Sequence, residues 1–195
     1  MATFFRFFLL ILLLGLGACS GKPVAFQGTD ITGADWGRDF QLADHTGKPR
    51  SLADFRGKVV VMFFGYTHCP DVCPTTLGEM AQVMKRLGPD ADRVQVLFVT
   101  LDPERDTPEL LAQYVPAFDP RFLGLYGDEA TTRKTAADFK VFYQKQAGTG
   151  DKSYTLDHSA NTYVFDPQGR LRLLFGYGAD VEQIVHDIKL LLAGA

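Results

Sequence analysis

The chain has 195 residues, with 20 Lys and Arg against 23 Asp and Glu, a net charge of -3 and three cysteines. With no cluster of Lys or Arg along it, that balance argues against a nucleic-acid ligand and against electrostatic adhesion to anionic lipid. Once a leader is set aside, its length suits one domain with a real core rather than two.

The first element is the leader. A single cation, Arg6, precedes an apolar run over 7–16 that is short for a membrane span, and small residues follow at Gly17-Ala18-Cys19-Ser20. Residues 1–18 are expected to be a signal peptide. Leu16-Gly17-Ala18-Cys19 resembles the bacterial lipoprotein box, in which the cysteine becomes the lipidated N-terminus; a plain signal peptide or an uncleaved anchor helix is the alternative. Residues 19–36 are polar and contain glycine, and are expected to form a tether with little structure of its own. Residues 37–195 are expected to form the domain.

Within it, the stretch around Phe40–Asp44 and the turn His45-Thr-Gly-Lys predict a small N-terminal hairpin, and 51–57 a short helical turn closed by Gly57. An unbroken apolar run over 58–65 predicts a strand buried on both faces. Cys69-Pro-Asp-Val-Cys73-Pro74 follows directly. Leu77, Met80, Ala81, Met84 and Leu87 then recur at helical spacing, with Gly88 placed as a terminator. A second buried strand is expected over 94–101, a helix after Asp106-Thr-Pro-Glu and another around 129–139. A hairpin over 161–175 and a helix over 180–193 complete the chain. These elements predict an α/β domain of thioredoxin-like fold, with a central mixed sheet flanked by helices and an N-terminal hairpin. The cysteines would then sit beyond the end of a central strand.

Cys-x-x-x-Cys puts two sulfurs one helical turn apart, close enough to close a disulfide or to grip one metal ion. So short a loop argues against a purely structural disulfide, leaving a redox dithiol or a metal site. Cys73, at a helix N-terminus, is expected to be the more acidic thiol. A nitrogen ligand would complete a soft site suited to Cu(I) and Cu(II), and His158 stands far along the chain in Leu156-Asp157-His158-Ser159. Spacing alone does not select it, because an isolated histidine is more often surface or core decoration. It follows the Gly-containing stretch 147–153, and the loop 147–158 is expected to be mobile without copper and to order when His158 is recruited. His68 neighbours Cys69 and is expected to support the site or face a partner, as are Asp71 and Asp157. His45 and His186 are read as inert, and Met80 and Met84 as core. Asp102, Glu104 and Asp106 are read as turn and capping chemistry first and a docking surface second.

Three motifs, Phe64-Gly-Tyr-Thr-His-Cys-Pro-Asp-Val-Cys-Pro-Thr-Thr76, Thr100-Leu-Asp-Pro-Glu-Arg-Asp-Thr-Pro108 and Asp157-His158-Ser159 before Tyr163-Val-Phe-Asp-Pro-Gln-Gly169, resemble those of the Sco/SenC family over about 38–193. The family consists of copper-binding, thioredoxin-like proteins that assist cytochrome c oxidase assembly. The resemblance implies copper ligation by Cys69, Cys73 and His158. It also implies, as partner, the oxidase subunit carrying the binuclear copper site, with another periplasmic copper chaperone or a thioredoxin-like reductant upstream. The implied function is a copper chaperone lipid-anchored in the bacterial cell envelope and facing the periplasm. The alternative is a thiol-disulfide oxidoreductase that uses Cys69 and Cys73 to reduce the oxidase's cysteines. A peroxidase of the same fold would need a separate peroxide-reactive cysteine, which the paired motif lacks.

Overall fold

The computed structural model describes residues 25–148 and 154–195. The leader and Cys19 lie outside the described residues. The strand expected from the run over 58–65 is β4, Val59–Gly65, and every residue of it is buried. It pairs in parallel with β5 (Val94–Thr100) and antiparallel with β9 (Thr162–Phe165). Beyond β5 come β6 (Leu123–Tyr126), then the N-terminal hairpin of β2 (Leu42–Asp44) and β3 (Pro49–Arg50). Beyond β9 come β10 (Leu171–Phe175) and β1 (Thr29–Asp30). The result is a mixed eight-stranded sheet in the order β1-β10-β9-β4-β5-β6-β2-β3.

Alternation along β4 sends neighbouring side chains to opposite faces. Phe63 meets Phe98 and His158, while Phe64 packs on the other face against Phe139 and Tyr163. Among the described residues, four α-helices accompany the sheet: α1 (Val72–Leu87), α2 (Pro108–Tyr114), α3 (Glu129–Asp138) and α4 (Val181–Leu192). Leu77, Met80, Val83, Met84 and Leu87 form the buried stripe of α1, so both methionines are core residues as expected. Gly88 ends α1 with φ +56°. Thr107 caps α2, its hydroxyl accepting from Leu110 N, and Pro108 occupies the first turn, where a missing N–H costs nothing.

Two expectations are corrected here. Residues 25–36 are not a structureless tether, because β1 pairs with β10 and the buried carboxylate of Asp187 accepts from Gln27 N and Gly28 N at 2.8–3.0 Å. The stretch leading to His158 is not a loop throughout. Tyr154–His158 is a strand, β8, paired antiparallel with β7 (Tyr143–Ala147), with Tyr143 opposite His158; residues 149–153 lie outside the described residues. The alternation of Tyr154, Leu156 and His158 with polar neighbours carried that signal, but Gly and Lys upstream outweighed it in the sequence reading.

Candidate metal centre

The chain leaves β4 at Gly65 and turns through Tyr66-Thr67-His68 into the Cys69 loop, where Cys69 N donates to the Tyr66 carbonyl at 3.3 Å. What holds this turn is Asp106, buried at the start of the α2 connection. Its carboxylate accepts from Thr67 N at 3.0 Å, from Thr67 Oγ1 at 2.6 Å and from Thr100 Oγ1 at 2.6 Å. Hydrogen bonds to an ionised acceptor are the stronger class, so the end of β5 and the cysteine turn are fastened by one group. Cys73 then lies in the first turn of α1 and is fully buried, while Cys69 is only partly so; both thiols are free.

The hairpin brings His158 in from the other side. Its Nε2 lies 3.5 Å from Cys73 Sγ, and its ring stands edge-on to Phe63 and Tyr66. Cys69, Cys73 and His158 place their ligand atoms within 4.8 Å of one another. Bonds from a metal to sulfur or imidazole nitrogen span roughly 2.0–2.3 Å, so the three donors converge on one ion with only small adjustments. His158 Nδ1 is 2.9 Å from the Ser159 carbonyl oxygen. A carbonyl can only accept, so Nδ1 carries the proton and the Nε2 lone pair is left toward the sulfurs. Burial also pulls the imidazole pKa below its ordinary value, outweighing the Ser159 carbonyl and the Asp157 charge, which raise it. His158 is therefore neutral, the form that binds a metal.

The expected acidity of Cys73 is overturned. Burial pushes its thiol well up, more than the Tyr66 backbone hydrogen bond brings it down. The helix terminus acts within the first turn, but desolvation of a thiolate in an apolar pocket is the larger effect.

The other predicted residues divide. His68 is half exposed, with Nδ1 3.1 Å from Thr67 Oγ1 and 3.8 Å from Asp106 Oδ1, so it stands beside the turn rather than at the sulfurs. Asp71 is the exposed N-cap residue of α1, and Asp157 is exposed and accepts from Gln146 Nε2 at 2.8 Å. Neither belongs to the donor set. His45 Nδ1 accepts from Gly124 N, and His186 pairs with Asp187, both away from the cysteines. Asp102 and Asp106 are buried, so of the acidic trio only Glu104 could face a partner, and it pairs with Lys145.

Three contributors were missed. Gly65 leaves room for the Cys73 sulfur, which would lie 2.7 Å from a Cβ at that position. Tyr154 donates through its hydroxyl to the buried Asp102 at 2.6 Å, and Arg105 donates to the Tyr154 carbonyl at 2.9 Å with its Cζ 3.5 Å from the Tyr154 ring centroid. These contacts latch the His158 hairpin to the segment after β5. The spacing of Tyr154 and His158 on one strand was the available signal.

With the site in view, the relatives can be placed. The family model described as SCO1/SenC matches residues 28–193. The chain belongs to the SCO1/SenC family. Among curated relatives, it is 42% identical over 153 residues to the mitochondrial SCO2 homolog of Mus musculus, covering 77% of this chain and 60% of that protein. It is 36% identical over 154 residues to a SCO2-like protein of Rickettsia felis, covering 78% of this chain and 75% of the relative. The chain thus spans only about three fifths of the mitochondrial relatives' length. Among solved structures, it resembles ScoI of Bradyrhizobium japonicum with copper bound, at TM-score 0.73 and 39% identity over 86% of this chain and 100% of that one. Apo Sco1 of Thermus thermophilus gives TM-score 0.77 and 43% identity over 88% and 100%. The SCO1/SenC fold seen here is the thioredoxin-like one expected from the element order.

Proposed function

We propose that this SCO1/SenC protein carries one copper ion on Cys69, Cys73 and His158 and delivers it to the binuclear copper site of cytochrome c oxidase. The observation that carries the reading is the convergence of two free thiols and a neutral imidazole within 4.8 Å, on a frame similar to a relative solved with copper bound. Copper is the cargo. Soft sulfur donors favour Cu(I), and the imidazole accommodates Cu(II) as well. Loading requires both thiols to lose their protons, so copper uptake releases protons and strengthens as pH rises. Cys73 and His158 would hold the ion from within, while partly exposed Cys69 gives an acceptor's thiolates their approach. The donor to this protein would be another periplasmic copper chaperone, or a thioredoxin-like reductant would keep its thiols ready.

Lipidation at Cys19 would place the domain in the bacterial cell envelope, facing the periplasm. The box at 16–19 supports this, as does similarity to a SCO1/SenC family lipoprotein of Bacillus anthracis, 26% identical over 86% of this chain. No helix among the described residues is long and apolar enough to cross a membrane.

The test is a Cu(II) titration of the reduced protein read by visible absorption, with His158→Ala beside it. An intense sulfur-to-copper band that saturates at one equivalent, and is weakened or altered in the variant, is expected. Oxidation of the thiols with no stable coloured complex, unaffected by the substitution, would overturn copper carriage in favour of the thiol-disulfide oxidoreductase.

A further inference from the structure

An open cleft of about 680 Å³ lies between the N-terminal segment, the turn before β4 and the β9–β10 turn, and it shares no residue with the Cys69–Cys73–His158 site. Four guanidinium groups line it, those of Arg38, Arg56, Arg170 and Arg172. The sequence carries no such cluster; folding assembles it from three separated segments, in a chain whose net charge is -3.

Two of the four are structural. The buried carboxylate of Asp166 takes Arg170 Nε at 2.7 Å and Arg172 Nη1 at 3.2 Å. Arg172 also donates to Thr32 Oγ1 at 2.8 Å and to the Ala195 carbonyl oxygen at 2.7 Å. Arg38 and Arg56 are exposed, and neither forms an ion pair among the described residues. The Arg56 guanidinium is seated over Gly169, where a Cβ would stand 3.1 Å from its Cζ and where φ of +69° itself favours glycine. Asp166, which does not itself line the cleft, thus already engages Arg170 and Arg172, and the Ala195 oxygen in the wall is taken by Arg172, whereas Arg38 and Arg56 face the same space with no ion-pair partner among the described residues. Such forks match the oxygen array of a phosphate, and a shared anion relieves their mutual repulsion.

The position of the cleft bears on where that phosphate comes from. Phe26, seven positions after Cys19, lies against Arg172, whose Cζ is 5.6 Å from the ring centroid, so this part of the N-terminal segment runs beside the cleft. Trp36, the chain's one tryptophan, lines the same cleft; an indole at such a mouth suits a membrane interface.

We infer that this cleft is a phosphate-binding site in which Arg38 and Arg56 hold the headgroup phosphate of an anionic lipid. The choice of a headgroup over free phosphate rests on the proposed anchoring at Cys19; the site itself does not.

The experiment uses the full chain in an uncharged detergent and reads Trp36 fluorescence, with phosphatidylglycerol in mixed micelles in one arm and inorganic phosphate in the other. The expected result is a saturable change with phosphatidylglycerol, weakened by salt and shifted at least tenfold to higher lipid in the Arg38→Gln/Arg56→Gln double variant. Far-UV circular dichroism checks that this variant keeps its fold, as exposed substitutions of this kind should. Saturation by inorganic phosphate at equal concentration would uphold the phosphate site but overturn the headgroup assignment. No saturable change in either arm, or an unchanged response in the double variant, would overturn the site. Lipidation is read separately from the mass of the N-terminal peptide of membrane-extracted protein, so its failure cannot be mistaken for failure of the cleft.

Discussion

Gly65→Ala should disable the metal centre while leaving the fold standing. A methyl group there would lie 2.7 Å from Cys73 Sγ, 2.9 Å from Phe98 Cε2 and 3.0 Å from Phe63 Cε1. Ordinary contact begins near 3.4 Å, so the sulfur would have to retreat by about 0.7 Å, and both rings are fully buried and cannot give way. Overpacking of this kind costs about 1–3 kcal/mol, which a domain of ordinary stability, about 5–15 kcal/mol, survives. A metal site is less forgiving, since ligand distances tolerate only about 0.2 Å. The expected outcome is a urea midpoint lowered by a cost in that range, with copper affinity down at least tenfold and an altered charge-transfer band. A folded Gly65→Ala protein with wild-type affinity and spectrum would refute the reasoning, because Cys73 Sγ would then not be pinned against β4.

Asp106→Ala should lose about 3–5 kcal/mol by chemical denaturation, since three donors lose an ionised acceptor. Asp106→Asn should recover most of that, because the Thr67 hydroxyl can turn to accept; equal losses in the two variants would contradict the assignment. Tyr154→Phe should cost about 1.5–3 kcal/mol by removing a hydrogen bond to the buried Asp102 carboxylate. It should also weaken copper binding by loosening the His158 hairpin, and an unchanged copper titration would count against the latch. For Cys73, the folded-state pKa is raised, so its contribution to the copper-free protein is fully present below the ordinary thiol value of 9.0 and is lost as pH climbs beyond it. Urea midpoints should therefore fall above about pH 9 more steeply in wild type than in Cys73→Ser, and parallel profiles would sink the claim. His158 has the opposite sign. Its folded pKa is depressed, so its contribution is present above the ordinary value of 6.5 and is lost as pH falls below it, and His158→Gln should flatten that acid limb.

The central elements were legible because each rests on local chemistry. Val59–Gly65 is apolar throughout and Val94–Thr100 is apolar at all but Gln95 and Thr100, as strands buried on both faces require, and Gly88 and Pro108 mark helix ends by their own backbone limits. The cysteine pair was legible from spacing, whereas His158 came from family resemblance, since nothing local ties residue 158 to residue 73. Features that depend on distant partners were not legible. Asp106 reads as a cap until Thr67 and Thr100 surround it, and four scattered arginines form no cluster until the β9–β10 turn meets the N-terminal segment. The acidity of Cys73 was misjudged because a helix terminus is visible in sequence and the depth of burial is not.

The clasp of Asp187 on Gln27 and Gly28 sets the length of a leash. For a chain held at Cys19, a first fastening at residue 36 would permit a reach of at most about 60 Å at 3.3–3.6 Å per residue, whereas fastening at residue 27 permits at most about 28 Å. Effective concentration falls roughly as the −3/2 power of linker length, so for a domain anchored at Cys19, fastening at residue 27 instead of 36 would raise it about threefold at a target on the same membrane. Two backbone N–H groups held by the Asp187 carboxylate, far from Cys69, Cys73 and His158, would thus set how far an anchored domain can range.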